Sequence, residues 1–344
     1  MHNSQNKTTP SNTDEAIDIV YLWVNGDDPA WRSKRSHAAH LLSQESANSM
    51  AVYGNVEGRF RDNDELRFSL RALDRYFPNH GHIYIVTDGQ TPNWLAETSG
   101  VTVIDHRELI PAAMLPTFDS GNIETYIHRI ANLSERYIYC NDDVFFGAPV
   151  DTGDWFWKGG IFTAWSDDAP VAGEDLLAQD TSLVNASRLS KRWLDESTDK
   201  SSDGLGRLGN YSHTPRTFAH APRPMLKSLL TTLEATAPEL FTLARSTRFR
   251  AWDKPSIVSD FVLRWALAHG VAQLKSYPHC FVSTGDADLT AQLAHLESNL
   301  GQLDFFCIND TTDDAANDDA RLAQVREVLQ GMFATPSPFE CEPI

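Results

Sequence analysis

Residues 138–150 read IYCNDDVFFGAPV. A β-branched and aromatic run passes through Asn141, Asp142 and Asp143, then turns apolar again at Val144, Phe145 and Phe146. One reading is a tight turn, since Asn and Asp bond their own backbone there. The other is a metal or diphosphate site, because polar side chains wedged between buried runs are costly unless something binds them. The surrounding pattern sets the fold in which either must sit. Strand-like AIDIVYLWV (16–24), HIYIVTDG (82–89), VTVID (101–105) and RYIYC (136–140) alternate with helical patterns. That alternation predicts an α/β fold with a mainly parallel sheet and helices on both faces. Ligands of such sheets bind beyond the carboxyl ends of the strands, where VNGDD and CNDD both lie.

The helical pattern is clearest after RFRDNDELR (59–67). Asp62 or Asn63 can cap it, Leu66, Leu70, Leu73 and Phe77 follow at helical spacing, and Pro78 and Gly81 end it. NIETYIHRI (122–130) reads as a short helix, as do Pro222–Leu233 and Ser256–His269. LDFFCIND (303–310) reads as a late strand, and TTDDAANDDARL as an acidic loop entering a last helix. Residues 151–215 hold Trp155, Trp157, Trp165 and Trp193 and a flexible DKSSDGLGRLGN, and are expected to form an inserted subdomain. The first 14 residues are expected to be a flexible leader, and the Pro-rich tail ATPSPFECEPI to be loosely held.

At 344 residues the chain can form one large domain or two ordinary ones, and 41% hydrophobic content fits a globular protein. The four cysteines are scattered without a CxxC pair, which argues against a disulfide framework and for a cytoplasmic setting. The N-terminus lacks the apolar core of a secretory signal. A net charge of −18 argues against a general nucleic-acid binder but leaves room for an anionic small substrate held by local arginines.

Three arrays carry candidate chemistry. Arg61, Arg67 and Arg71 surround Asp62, Asp64 and Glu65; this suits a solvated helix face, or guanidinium forks on phosphate oxygens with Asp64 orienting one of them or contacting ribose. Glu124 and His128 are four apart, a spacing that on a helix makes either an acid–base pair or an ordinary surface pair, with Arg129 beside them. Asp142 and Asp143 suit Mg²⁺ on a diphosphate better than zinc, for which no Cys/His spacing is present. Asn309 and Asp310 could complete that site. His220, Arg248 and Arg250 have no distinctive spacing.

These residues resemble the Stealth family. DIVYLWVNGDD is similar to its first signature, and RFRDNDELRFSLRAL through NIETYIHRIANLSERYIYCNDDVFFG to its second. AHAPRPMLKSLL with RFRAWDKPSIVSDFVLRWALAHG resembles the third more loosely, and DFFCINDT the fourth. Leu22 and Cys140 depart from residues common in relatives. The resemblance implies a glycosyltransferase-A-like fold that transfers hexose-1-phosphate from a UDP-sugar to a glycan hydroxyl, releases UMP, and uses Mg²⁺ or Mn²⁺. It implies catalytic roles for Glu124, Asp143, His220 and Arg250. Trp23, Asn25, Gly26, Arg61, Asp64, Arg67, His128, Arg129, Asn141 and Arg248 fall to the substrate site, and Asp142, Asp143 and Asp310 to the metal.

On this basis residues 15–150 form a nucleotide-sugar-binding half, 216–312 complete the site, and 313–344 supply a last helix and tail. The expected partners are the UDP-sugar and an oligosaccharide or polysaccharide acceptor, with peripheral association at the inner membrane face or with capsule machinery. A metal-dependent glycosyltransferase releasing UDP and a non-catalytic glycan- or nucleotide-binding module are the rival readings. Either Glu124 or His220 would take the acceptor proton.

Overall fold

The computed structural model describes residues 16–45, 49–199, 212–316 and 318–341. The expected leader lies outside them, as does nearly all of DKSSDGLGRLGN. Eleven strands occur among the described residues: β1 (Asp18–Leu22), β2 (Ile83–Thr87), β3 (Val101–Asp105), β4 (Arg136–Asn141), β5 (Val144–Phe146), β6 (Phe156–Trp157), β7 (Gly160–Thr163), β8 (Arg223–Leu226), β9 (Ala272–Leu274), β10 (His279–Ser283) and β11 (Phe305–Asn309).

The central sheet runs β3-β2-β1-β4-β8, parallel except for β8. Every residue of β1 and β2 is buried, so both faces of the sheet are covered and the strands need continuous apolar runs rather than alternation. The α/β expectation therefore holds. Asp18 is the buried charged exception. Its two carboxylate oxygens accept from His82 N (2.8 Å) and Ser134 N (2.7 Å), which ties together the entries to β2 and β4. Register then aligns the opposite ends, with Leu22 beside Asn141.

Beyond Asn141 the chain leaves this sheet. β5 pairs antiparallel with β11 in a second sheet, β10-β11-β5, with Cys307 opposite Val144 and Ile308 N bonded to Asp143 O at 3.0 Å. The acidic triplet is thus the crossing point between two sheets. Helix Glu65–Tyr76 packs over that crossing, burying Leu66, Leu70 and Leu73 completely. Each such side chain contributes about 1.5–3 kcal/mol. Ser69 Oγ adds a bond to Val144 O at 2.7 Å.

A third sheet, β6-β7-β9, joins two strands of the Trp-rich stretch to Ala272–Leu274. Trp155, Phe156, Ile161 and Leu194 belong to the same core cluster as β1, β2 and β4. A smaller cluster gathers Trp31, Phe60, Phe118 and Phe249, with Phe118 and Phe249 stacked at 5.1 Å. No described helix is long and apolar enough to cross a membrane.

Three expectations change. Pro222–Leu233 is not one helix: β8 occupies Arg223–Leu226, and the helix is Lys227–Thr236. Pro224 is tolerated because β8 is an edge strand, where the missing N–H costs no ladder bond. NIETYIHRI breaks into helix Ser120–Glu124 and a separate 3-10 turn, Ile127–Arg129. The C-terminal tail is docked through residue 341: Phe339 is buried, and Glu340 bonds Arg67 (2.5 Å) and Arg71 (2.7 Å).

Candidate active site

A cavity of about 590 Å³ opens at the carboxyl ends of β1 and β4, within the usual size of small-molecule sites. The β1 end contributes Trp23, and β4 contributes Asn141, Asp142 and Asp143. The 57–61 turn contributes Arg59 and Arg61, and the segment before β8 contributes His220. Arg250 closes another wall, and Asn309 and Asp310 come from the end of β11.

Asp143 is the most constrained of these. Its Oδ1 lies 3.1 Å from His220 Nε2, its Oδ2 accepts from Asn309 Nδ2 at 2.9 Å, and Cys307 Sγ donates at 3.5 Å. Burial raises its pKa, but the His220 charge and hydrogen bond, with Asn309 and Cys307, outweigh it and hold the carboxyl below its ordinary range. Asp142 moves the other way. Burial, then repulsion from Asp143 and Asp62, pushes it well above the usual carboxylate range.

His220 Nε2 stands 3.1 Å from Asn141 Nδ2 as well as from Asp143. Protonated, it donates to Asp143; bare, it accepts from Asn141. Asn141 Oδ1 in turn accepts from Tyr139 OH, and Tyr139 OH lies 2.9 Å from Glu124 Oε1. Glu124 is 2% exposed, and burial raises its pKa against the opposing Arg223 and the Tyr139 bond. A single hydroxyl proton cannot serve both Glu124 and Asn141. With Glu124 protonated, every donor is matched: Glu124 to Tyr139, Tyr139 to Asn141, and Asn141 to a bare His220 Nε2. Glu124 itself does not line the cavity.

Arg250 is aimed by the N-terminus of the short helix. Its Nη2 donates to Ser120 Oγ at 2.6 Å, and its Nε sits 3.7 Å from Asp119. Arg61 is already spent: it pairs with Asp310, and its Nη2 donates to Ala315 O at 2.7 Å. Asp310 also accepts from Thr312 N (2.9 Å) and Thr312 Oγ1 (2.7 Å), so this aspartate is charge-balanced without a metal.

Three further expected site residues do not line the cavity but neighbour residues that do. Gly26 allows the NGDD turn to lie on the 57–61 turn, because a Cβ there would stand 2.1 Å from Phe60 O. Asn25 is clamped by Gln90, giving 3.0 Å to Oε1 and taking 2.9 Å from Nε2. Asp64 stands at the N-cap position of helix Glu65–Tyr76 with φ 66° and makes no side-chain capping bond. Four residues lie away from the cavity. Arg67 pairs with Glu340, and Arg248 is exposed and bonds Pro116 O at 2.9 Å. His128 and Arg129 each contact Glu234 at 2.7 Å. Because the helix ends at Glu124, Glu124 and His128 do not form a pair.

The donor atoms of Asp143, His220 and Cys307 lie within 4.8 Å of one another, although 164 residues separate the first from the last. Spacing along the chain offered no sign of this Cys/His proximity. Burial pushes the Cys307 thiol well above its ordinary pKa, so it acts as a donor behind Asp143. Sequence reasoning also missed Arg59; its signal was the leading arginine of RFRDNDELR.

Residues 15–39 match Stealth protein CR1, conserved region 1; residues 59–163 match Stealth protein CR2, conserved region 2; and residues 297–343 match Stealth protein CR4, conserved region 4. The chain is 30% identical over 305 residues to a capsular polysaccharide phosphotransferase of Haemophilus influenzae, covering 88% of this chain and 80% of that protein. It is 32% identical to an exopolysaccharide phosphotransferase of Streptomyces coelicolor, and 31% to exopolysaccharide phosphotransferase CpsY of Mycobacterium tuberculosis, over 94% of this chain in each case. The chain spans 33% of the Streptomyces protein and 58% of the Mycobacterium protein. A crystal structure of a galactosyltransferase, LgtC, with donor and acceptor sugar analogues aligns over 95% of this chain and 98% of that one, at 9% identity and a TM-score of 0.44.

Proposed function

The chain belongs to the Stealth protein family, and on that premise we propose that it transfers a hexose-1-phosphate from a UDP-sugar, a UDP-N-acetylhexosamine first among candidates, to a glycan hydroxyl in cell-surface polysaccharide synthesis. One observation carries the reading: Asp142, Asp143 and His220 meet the guanidinium of Arg250 around one cavity at the carboxyl end of the sheet.

The acceptor oxygen attacks the sugar-linked phosphorus, the phosphoanhydride bond to UMP breaks, UMP leaves as an anion, and the hydroxyl proton passes to His220 Nε2. His220 reaches the cavity, and the acceptor hydroxyl would take the place of Asn141 Nδ2 at that nitrogen before giving up its proton. Asp143 stabilises the imidazolium that results. Glu124 is then a positioning residue, fixing Asn141 through Tyr139. Arg250 faces the charge that grows on the nonbridging oxygens.

The donor set fits a hard divalent cation. Asp142 is a buried carboxyl driven toward protonation first by burial and then by repulsion from Asp143 and Asp62, and a cation would offset both. Asp142 and Asp143 would hold Mg²⁺ or Mn²⁺, while Asp310 is already satisfied by Arg61. When bound, the ion neutralises charge on the diphosphate.

The test is nucleotide release. Purified protein with UDP-sugars, Mg²⁺ and oligosaccharide acceptors should release UMP and yield a phosphodiester by ³¹P NMR. Release of UDP with a phosphorus-free glycan would make the protein a glycosyltransferase instead.

A further inference from the structure

Arg59 sits in the 3-10 turn Glu57–Phe60 and lines the cavity. Its Nε is buried without a hydrogen-bond partner. The ring of Phe60 lies 5.9 Å from its guanidinium carbon. The carboxylates whose fields it feels are Asp119, Asp143 and Glu124, and all three are engaged elsewhere. Asp119 accepts from Gly121 N (3.0 Å) and Thr247 Oγ1 (2.8 Å), Asp143 is held by His220, Asn309 and Cys307, and Glu124 lies against Tyr139.

The nearby cation makes matters worse. Burial, then the charge of Arg250, lowers the Arg59 pKa to about 9. The two arginines are held in this opposition by rigid packing. Phe60 and Phe249, their chain neighbours, share one aromatic cluster, and Ala51 N bonds Arg250 O at 2.9 Å. Two guanidiniums lining one cavity, one with an unmet buried donor, are costly unless an anion joins them. The planar fork of a guanidinium suits a phosphoryl group.

We propose that Arg59 and Arg250 form a two-guanidinium clamp for a diphosphate group, with Arg59 the residue that answers to the anion. The biological ligand, a nucleoside diphosphate sugar, rests on the function proposed above; the clamp itself does not. Arg59 is consequently a residue whose charge costs stability in the empty protein and recovers it on binding.

The experiment is calorimetric titration of the full chain in fixed Mg²⁺ with inorganic pyrophosphate, UDP and uridine, beside thermal melts with and without pyrophosphate. Arg59→Gln should weaken pyrophosphate and UDP by about 10- to 100-fold, the range for charged hydrogen bonds, and leave uridine unchanged. Arg59→Lys, which keeps charge but loses the fork, should fall between. Without ligand, Arg59→Gln should melt no lower than the parent, and with pyrophosphate it should melt lower. An unchanged pyrophosphate affinity in folded Arg59→Gln overturns the clamp, as does a parent that binds no pyrophosphate. Should Arg59→Gln fail to fold, the empty protein needs the charge and the proposal also falls. Pyrophosphate binding that depends on Arg59, with no binding of UDP, would keep the clamp and discard the uridine donor.

Discussion

Asp260→Asn should be among the most damaging conservative changes outside the cavity. Asp260 and Arg264 are both 1% exposed, with Arg264 Nε 3.0 Å from each carboxylate oxygen and Ser190 Oγ adding a bond of 2.6 Å. The other donors of Arg264 reach Thr214 O (2.9 Å), Arg216 O (2.5 Å) and Ser187 Oγ (2.9 Å). One guanidinium therefore joins helix Ser182–Asp199, the segment leading to His220, and the helical stretch Ile257–Ala268. Asparagine keeps the shape but leaves a buried cation without its counter-charge, which costs about 3–5 kcal/mol. A domain has about 5–15 kcal/mol in total, so much of the margin would go. With a urea slope of about 3 kcal/mol/M or more for a chain this long, the midpoint should fall by roughly 1 M. The control is Lys191→Gln, which breaks the solvent-facing pair with Asp195 at 2.8 Å and should cost under about 1 kcal/mol. Urea unfolding followed by far-UV circular dichroism measures both. Equal losses in the two variants would refute the reasoning.

Other consequences are as direct. His220→Gln should lower turnover by about 10²-fold or more while UDP binding by calorimetry changes little; a turnover within a few-fold of the parent would remove His220 as the base. Gly26→Ala should destabilise markedly, since the new Cβ meets a backbone oxygen at 2.1 Å; an unchanged melting temperature would mean that the 57–61 turn yields freely. Glu340 has its pKa lowered to about 2, because Arg71, Ser337 N and Arg67 outweigh the opposing effect of burial. Its contribution to stability is present above the ordinary glutamate pKa of about 4.3 and is lost as pH falls toward 2. Glu340→Gln should therefore flatten the acid limb of the stability curve, and an identical limb would contradict the pairing.

How much of this could be read from the residues depended on whether the cause was local. β1, β2 and β4 were legible because strands buried on both faces need unbroken apolar runs, and Leu66, Leu70 and Leu73 announced their helix by spacing. β8 was not, because leucines near Pro222 imitate a helix and only its pairing with β4 makes RPML a strand. Glu124 and His128 misled for a related reason. Thr125 Oγ1 bonds back to Asn122 O at 2.7 Å, the chain tightens into a 3-10 turn, and i,i+4 spacing loses its meaning. Asp142 and Asp143 stood out as polar residues between apolar runs. Cys307 and Arg59 did not, since what singles them out is proximity to residues far along the chain. Arg61 and Arg59 lie two apart in one motif, yet Asp310 pairs with the first, while no hydrogen-bond partner among the described residues meets the Nε of the second.

The central claim is that phosphorus moves with the sugar. The most direct measurement uses a UDP-sugar radiolabelled in the sugar-linked phosphate, incubated with the protein, Mg²⁺ and an oligosaccharide acceptor, and follows the label. Label is expected in the glycan and unlabelled UMP in solution. Label retained in released UDP, with sugar transferred to the glycan, would contradict that claim.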